Sequence, residues 1–212
     1  ITGNMEIPIH KPSLCGDQSV CTGTFHTAFF TLVQRINVGR YWDQTRQFIM
    51  NLNLDNKHCL ITGASQGIGA AIAERFLDEN ANIMIVSRGS EKLFETKGLL
   101  QSQYGENRVE SVICDCTDKA SLDSLKETIL QRWGGVDIVI ANVGDGRSAP
   151  DALPDEQQWE RTWNNNFQSA LLTARTFLPM LQKSSGCLLF ISSITALEAF
   201  GAPVDYSTAK TA

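Results

Sequence analysis

Five short apolar runs, separated by longer segments whose apolar residues recur with helical spacing, occupy residues 57–212 and limit the fold more than any other feature. The runs are HCLIT at 58–62, IMIVS at 83–87, VESVIC at 109–114, VDIVIAN at 136–142 and CLLFISS at 187–193. The segments between them predict helices over 68–79, 90–103, 119–133 and 156–182, and a further one beginning at 205. Near-continuous apolar strands alternating with helices are the pattern of a parallel sheet covered on both faces. The expected class is α/β, a doubly wound parallel sheet. Such sheets bind ligands beyond the carboxyl ends of their strands, where the strand order reverses, so function is to be sought at the run ends.

Composition narrows the partners. At about 150 residues per domain, 212 residues allow one good-sized domain and a remainder. With 42% hydrophobic and 19% charged residues the chain can build a core. A net charge of −5 argues against nucleic acid or acidic lipid held by a general positive field, which leaves small molecules. No apolar stretch approaches the roughly 18 residues of a membrane span, so no membrane partner is expected. The cysteines (Cys15, Cys21, Cys59, Cys114, Cys116, Cys187) form no C-x-x-C pair, and free thiols in the cytoplasm are the simplest reading. His10 and His26 with Cys15 and Cys21 match no metal-ligand spacing, and no metal is expected. Met50 opens a polar lead into the first strand, which sets the expected boundary: an N-terminal extension or part of another domain over 1–49, and the main domain over 50–212. The initial Ile and the closing YSTAKTA, a helix with no stop signal, suggest a fragment.

The first run ends in TGASQGIG, followed directly by the helical AAIAERFL. Such a turn, spanning Thr62, Gly63, Ser65, Gln66, Gly67, Ile68 and Gly69, lets backbone approach a pyrophosphate while the helix N-terminus attracts its charge. Its G-x3-G-x-G spacing differs from the general G-x-G-x-x-G dinucleotide fingerprint, and a tight turn without ligand is the plain alternative. The second run ends in Ser87-Arg88, 18 residues beyond Gly69, close to the roughly 20 at which an acid would bind the adenosine ribose. No acid stands there. A hydroxyl followed by a guanidinium suits a 2'-phosphate, so NADP(H) is favoured over NAD(H), although Gln66 supplies no second cation and Arg88 could be a solvated surface charge. The third run ends in CDCTD, with Asp115 positioned for an adenine amino group and Thr117 or Asp118 available to cap the next helix.

Ser192 and Ser193 end the fifth run, and Tyr206 follows Ser193 by 13 residues, with Lys210 at i+4. On a helix these two lie one turn apart on one face. A nearby ammonium, joined by an oxidised nicotinamide, would lower a phenol's pKa toward use as a general acid or base. Asn164, Asn165 and Asn166 interrupt a predicted helix with side chains that compete for backbone hydrogen bonds, which suggests a local distortion. Trp159 and Trp163 read as core or subunit-interface anchors.

TGASQGIG, the ANVG of 141–144, Asn166 in WERTWNNNFQ, the ISS ending at Ser193 and YSTAK together resemble the short-chain dehydrogenase/reductase family, from about Met50 to the last residue. The resemblance implies a Rossmann-like sheet in the order 3-2-1-4-5 and hydride transfer between a nicotinamide and a ketone or secondary alcohol. It implies Tyr206 as acid/base, Ser193 on the substrate oxygen, Lys210 on the nicotinamide ribose and Asn166 on a proton-relay water. It assigns Thr62, Gly63, Gly67, Ile68 and Gly69 to the pyrophosphate turn, Ser87 and Arg88 to the 2'-phosphate, and Asp115 to adenine. Asn142 and Gly144 would flank the cofactor, and a homo-oligomer is implied. Two departures stand out. Val143 replaces a small residue of the family's NAG, and the sixth and seventh strands with the substrate lid are missing from these residues. A catalytically silent dinucleotide-binding or scaffold module is the alternative.

Overall fold

The computed structural model describes residues 52–146, 153–198 and 201–212. The expected extension over 1–49, with His10, Cys15, Cys21 and His26, lies outside the described residues. The elements run β1 (His58–Thr62), α1 (Gly67–Asp78), β2 (Asn82–Ser87), α2 (Ser90–Tyr104), β3 (Val109–Ile113), α3 (Lys119–Trp133) and β4 (Ile138–Ala141). They continue with α4 (Glu156–Trp163), a π-helical turn (Asn164–Gln168), α5 (Ser169–Ser184), β5 (Cys187–Phe190) and α6 (Val204–Thr211). None of the described helices is long and apolar enough to cross a membrane.

The strands form one parallel sheet in the order β3-β2-β1-β4-β5, as expected. Alternate residues of each strand point to opposite faces. Leu60, Met84, Val86 and Val139 pack with Leu122, Leu125 and Ile129 of α3 and Phe177 of α5. Ile61, Ile83, Ile85 and Ile140 pack with Ala73 and Leu77 of α1 and Leu93 of α2. Side chains of this size contribute about 1.5–3 kcal/mol each when fully buried, so the two layers hold the strand ends in fixed register. The strand order reverses at β1, where β2 lies on one side and β4 on the other. The ends of β1 and β4 therefore frame the crevice.

Three elements differ from the sequence reading. The fourth strand ends at Ala141, because the Asn142 amide turns to the Thr62 hydroxyl, 3.0 Å away. The fifth ends at Phe190, and Ser193 caps a short 3-10 turn over Ile194–Ala196. The single helix predicted over 156–182 is two helices joined by the π turn, in which the Ser169 amide reaches back to the Asn164 carbonyl and its hydroxyl donates to the Asn165 carbonyl at 2.7 Å. The asparagine run sits in that turn, so the distortion suggested by sequence is real. Among the described residues β5 pairs with β4 alone, and Leu189 and Phe190 are 44% and 52% exposed.

Candidate active site at the strand switch point

The turn after β1 is built for close approach. Gly63 and Gly67 adopt φ of +65° and +61°, and a Cβ on Gly67 would meet no atom, so the backbone there faces open space. At Gly69 a Cβ would stand 2.7 Å from the Gly63 carbonyl and 2.8 Å from the Ala64 Cα, so α1 can seat against β1 only with glycine there. Gln66 caps α1 without a side-chain hydrogen bond, and no acid occupies the first turn. Its leading N–H groups and positive dipole end are thus open to an anion.

Asn142 ties this turn to β4. Its Nδ2 donates to the carbonyls of Thr62 and Gly63 at 3.0 and 3.1 Å, while the Thr62 hydroxyl accepts from the Asn142 amide and donates to the Ile140 carbonyl. The turn lines one wall of a cleft of about 430 Å³, with Ser87, Arg88, Asp115, Asn142 and Gly144 on the others. Arg88 is exposed, and among the described residues no carboxylate pairs with it. Asp115 lies in the same cleft, but its Oδ1 accepts from the Thr117 amide and hydroxyl at 2.9 and 2.7 Å. Asp118 rather than Thr117 caps α3, accepting from the amides of Ala120 and Ser121.

Gly144, which also lines the cleft, lies close to two of the side chains expected from sequence to act there. A Cβ on Gly144 would stand 3.0 Å from both Asn166 Oδ1 and Lys210 Nζ. The Asn166 amide holds the loop after β4: Nδ2 donates to the carbonyls of Asp145 and Thr162, and Oδ1 accepts from the Asp145 amide, each at 3.0 Å. Lys210 Nζ donates to the Ile191 carbonyl at 3.0 Å, and burial lowers the Lys210 pKa below the ordinary lysine value. Ser193 Oγ accepts from the Thr195 amide and hydroxyl at 3.3 and 3.0 Å, which occupies its lone pairs and leaves its proton to donate. Tyr206 lies one turn before Lys210 on α6, with its ring beside Gly146, and no described residue hydrogen-bonds its hydroxyl. The structure therefore brings Gly144, Asn166 and Lys210 together, while Ser193 and Tyr206 make no mutual hydrogen bond.

Several contributors escaped the sequence reading. Thr162 donates to the buried Asp205 carboxylate at 2.7 Å and accepts from Gln158 Nε2 at 2.9 Å, which locks α4 to the start of α6 beside Tyr206. Gln158, Thr162 and Asn166 recur every four residues, a spacing that puts them on one helical face and was the available signal. Lys92 of α2 reaches the glycine turn, with Nζ 2.9 Å from Gln66 Oε1, and nothing in local sequence announces it. Val143 lines both the cleft and a second, largely apolar cavity of about 350 Å³ beside β5, which also reaches Asn166, Ser192 and Lys210. Its bulk forms part of the wall between the two.

The sequence pattern of the family described as short chain dehydrogenase matches residues 57–212. An uncharacterised oxidoreductase of Staphylococcus aureus (strain USA300) is 34% identical over 160 residues, which cover 75% of this chain and 68% of that protein. Among solved structures, L-sorbose reductase from Gluconobacter frateurii, complexed with NADPH and L-sorbose, aligns with a TM-score of 0.71 at 29% identity, over 76% of this chain and 62% of that one. An alcohol dehydrogenase from the archaeon Thermococcus sibiricus, complexed with 5-hydroxy-NADP, aligns with a TM-score of 0.69 at 25% identity, over 74% and 66%. The chain thus spans less than two thirds of the length of these solved relatives. With a family pattern unbroken from residue 57 to residue 212 and a sheet order read independently from the strands, the chain belongs to the short-chain dehydrogenase/reductase family.

Proposed function

We propose that residues 50–212 form an NADP(H)-preferring oxidoreductase domain interconverting a ketone and a secondary alcohol, with residues 1–49 an N-terminal extension or part of another domain. The observation that carries this reading is the closeness of Asn166 and Lys210 to Gly144, which lines the cleft: a Cβ on Gly144 would stand 3.0 Å from both Asn166 Oδ1 and Lys210 Nζ. The residues present fit a dinucleotide: the open N-terminus of α1 suits a pyrophosphate, and Arg88 meets no carboxylate among the described residues. Thr62, Gly63, Ser65, Gln66, Gly67, Ile68 and Gly69 would hold the pyrophosphate, Ser87 and Arg88 the 2'-phosphate, and Asp115 the adenine. Asn142 and Gly144 would flank the nicotinamide half. Bound there, the nicotinamide would give or take the hydride. NADP compounds in the two solved relatives support the cofactor preference.

The protein's own part is proton handling and orientation. Ser193, with only its proton to offer, donates to the substrate oxygen. In reduction the Tyr206 hydroxyl gives its proton to that oxygen, and in oxidation it takes the proton back. Lys210, one turn along α6, favours the phenolate through its charge and has donors left for the ribose after bonding the Ile191 carbonyl. Asn166 keeps one Oδ1 lone pair for a relay water, its amide protons being committed to backbone carbonyls. Free thiols at Cys59, Cys114, Cys116 and Cys187 suit the proposed cytoplasmic setting, and a homo-oligomer is proposed by resemblance to the family.

One second reading is a dinucleotide-binding module without turnover: Phe190, which lines the apolar cavity shared with Asn166 and Lys210, is half exposed, so among the described residues that cavity stands open to water. Purified chain, NADPH and a panel of ketones separate the two, with Tyr206→Phe as control. Oxidation of NADPH that the variant loses supports the enzyme. Binding of NADPH without oxidation of any ketone supports the module and refutes the proposed chemistry.

A further inference from the structure

The α2 helix approaches the glycine turn along one face. Thr96 Oγ1 donates to the Ser65 carbonyl at 2.7 Å, and one turn earlier Lys92 Nζ donates to Gln66 Oε1 at 2.9 Å. Arg88, four residues before Lys92, precedes the helix and lines the same cleft as Gln66. Lys92 and Thr96, one turn apart on α2, thus face the glycine turn together. Among the described residues Lys57, Arg75, Lys119, Arg132 and Arg161 pair with carboxylates, while Lys97, Arg108, Lys126, Arg175, Lys183 and Lys210 make no such pair and lie outside the lining of this cleft. Among the described residues neither Arg88 nor Lys92 pairs with a carboxylate, although Glu91 and Glu95 share the helix, and the sole side-chain partner of Lys92 there is a neutral amide. In a chain of net charge −5, Arg88 lines the cleft and Lys92 reaches its glycine turn through Gln66, which puts two cations beside one stretch of a cleft whose own carboxylates, Asp115 and Asp145, bond Thr117 and Arg161.

We propose that Lys92 is the second cation of the 2'-phosphate subsite, held against the glycine turn by Gln66 and supplying with Arg88 a two-sided clamp for a phosphomonoester. This rests on the NADP(H) reading and adds a residue to it. Gln66, with no charge of its own, positions a cation carried by α2. Lysine binds phosphate as a point charge, so arginine at 92 preserves the function and a neutral amide abolishes it. Because the ammonium is exposed, its contribution is moderate and screened by salt.

Calorimetric titration with 2',5'-ADP and with 5'-AMP tests this on the full chain, because the two probes differ at the proposed subsite. Lys92→Gln is expected to weaken 2',5'-ADP binding roughly tenfold at low salt and to leave 5'-AMP unchanged, while Lys92→Arg restores it. The deficit shrinks as salt is raised toward 0.5 M. Equal losses for both probes would make Lys92 a structural prop for the turn, and no loss would remove it from the subsite; either overturns the inference. If Arg88→Gln abolishes the preference for 2',5'-ADP while Lys92→Gln does not, the NADP(H) reading stands and Lys92 alone fails. Equal binding of the two probes by the wild-type chain overturns both.

Discussion

Substituting Asn142 tests the switch-point geometry without relying on any cofactor. Its Nδ2 donates to two consecutive carbonyls, Thr62 and Gly63, at 3.0 and 3.1 Å, where β1 enters the glycine turn. At a net 0.5–1.5 kcal/mol per hydrogen bond, Asn142→Ala should cost about 2 kcal/mol. For a folded unit of this size that lowers the thermal midpoint by about 4–8 °C. Asn142→Asp, nearly the same in shape, should cost more at neutral pH, because a carboxylate oxygen would face the two carbonyl oxygens where an amide donated. The excess should shrink toward pH 4. There the folded variant takes up a proton that lets the carboxyl donate, so it binds more protons than the unfolded chain and gains stability as pH falls. Thermal and urea unfolding of the three proteins between pH 4 and 7 measures both effects. An Asn142→Asp protein as stable as Asn142→Ala at pH 7, with no recovery on acidification, would refute the assigned bonding.

Other outcomes follow from the same geometry. Gly144→Ala should leave the fold within about 1 kcal/mol, since its near contacts are side-chain ends, while displacing Asn166 and Lys210 enough to lower turnover at least tenfold; folding by circular dichroism and NADPH oxidation check this. Thr162→Val deletes the donor to the buried Asp205 and should cost about 1–3 kcal/mol, read by urea denaturation. The lowered pKa of Lys210 means that the unfolded chain holds this proton more tightly than the folded one. Wild type should gain stability relative to Lys210→Met as pH rises from the lowered folded value toward about 10.5, measured by urea midpoints between pH 7 and 10.

Much of this was legible because it is written in short-range pattern. The period-2 exchange of Leu60 with Ile61 and of Met84 with Ile85 assigns strands and faces together. The glycine turn and the Tyr206–Lys210 pair sit within a few residues and declare themselves. Strand ends were less legible, because β4 stops where the Asn142 amide finds the Thr62 hydroxyl 80 residues away. Lys92 and Gln66 lie 26 residues apart, and Thr162 and Asp205 lie 43 apart; such contacts depend on how helices dock on the sheet, which no local spacing encodes. The reverse held at Asp115, where a two-residue Asx turn to Thr117 was already present in CDCTD.

The most direct measurement is a crystal structure of the chain with NADP+ bound. The pyrophosphate should lie on the N-terminus of α1, the 2'-phosphate beside Arg88, and the nicotinamide ribose within hydrogen-bond reach of Lys210 Nζ and the Tyr206 hydroxyl, with Ser193 facing the same space. A well-ordered dinucleotide that leaves the Tyr206 hydroxyl far from both Ser193 and the nicotinamide would contradict the account.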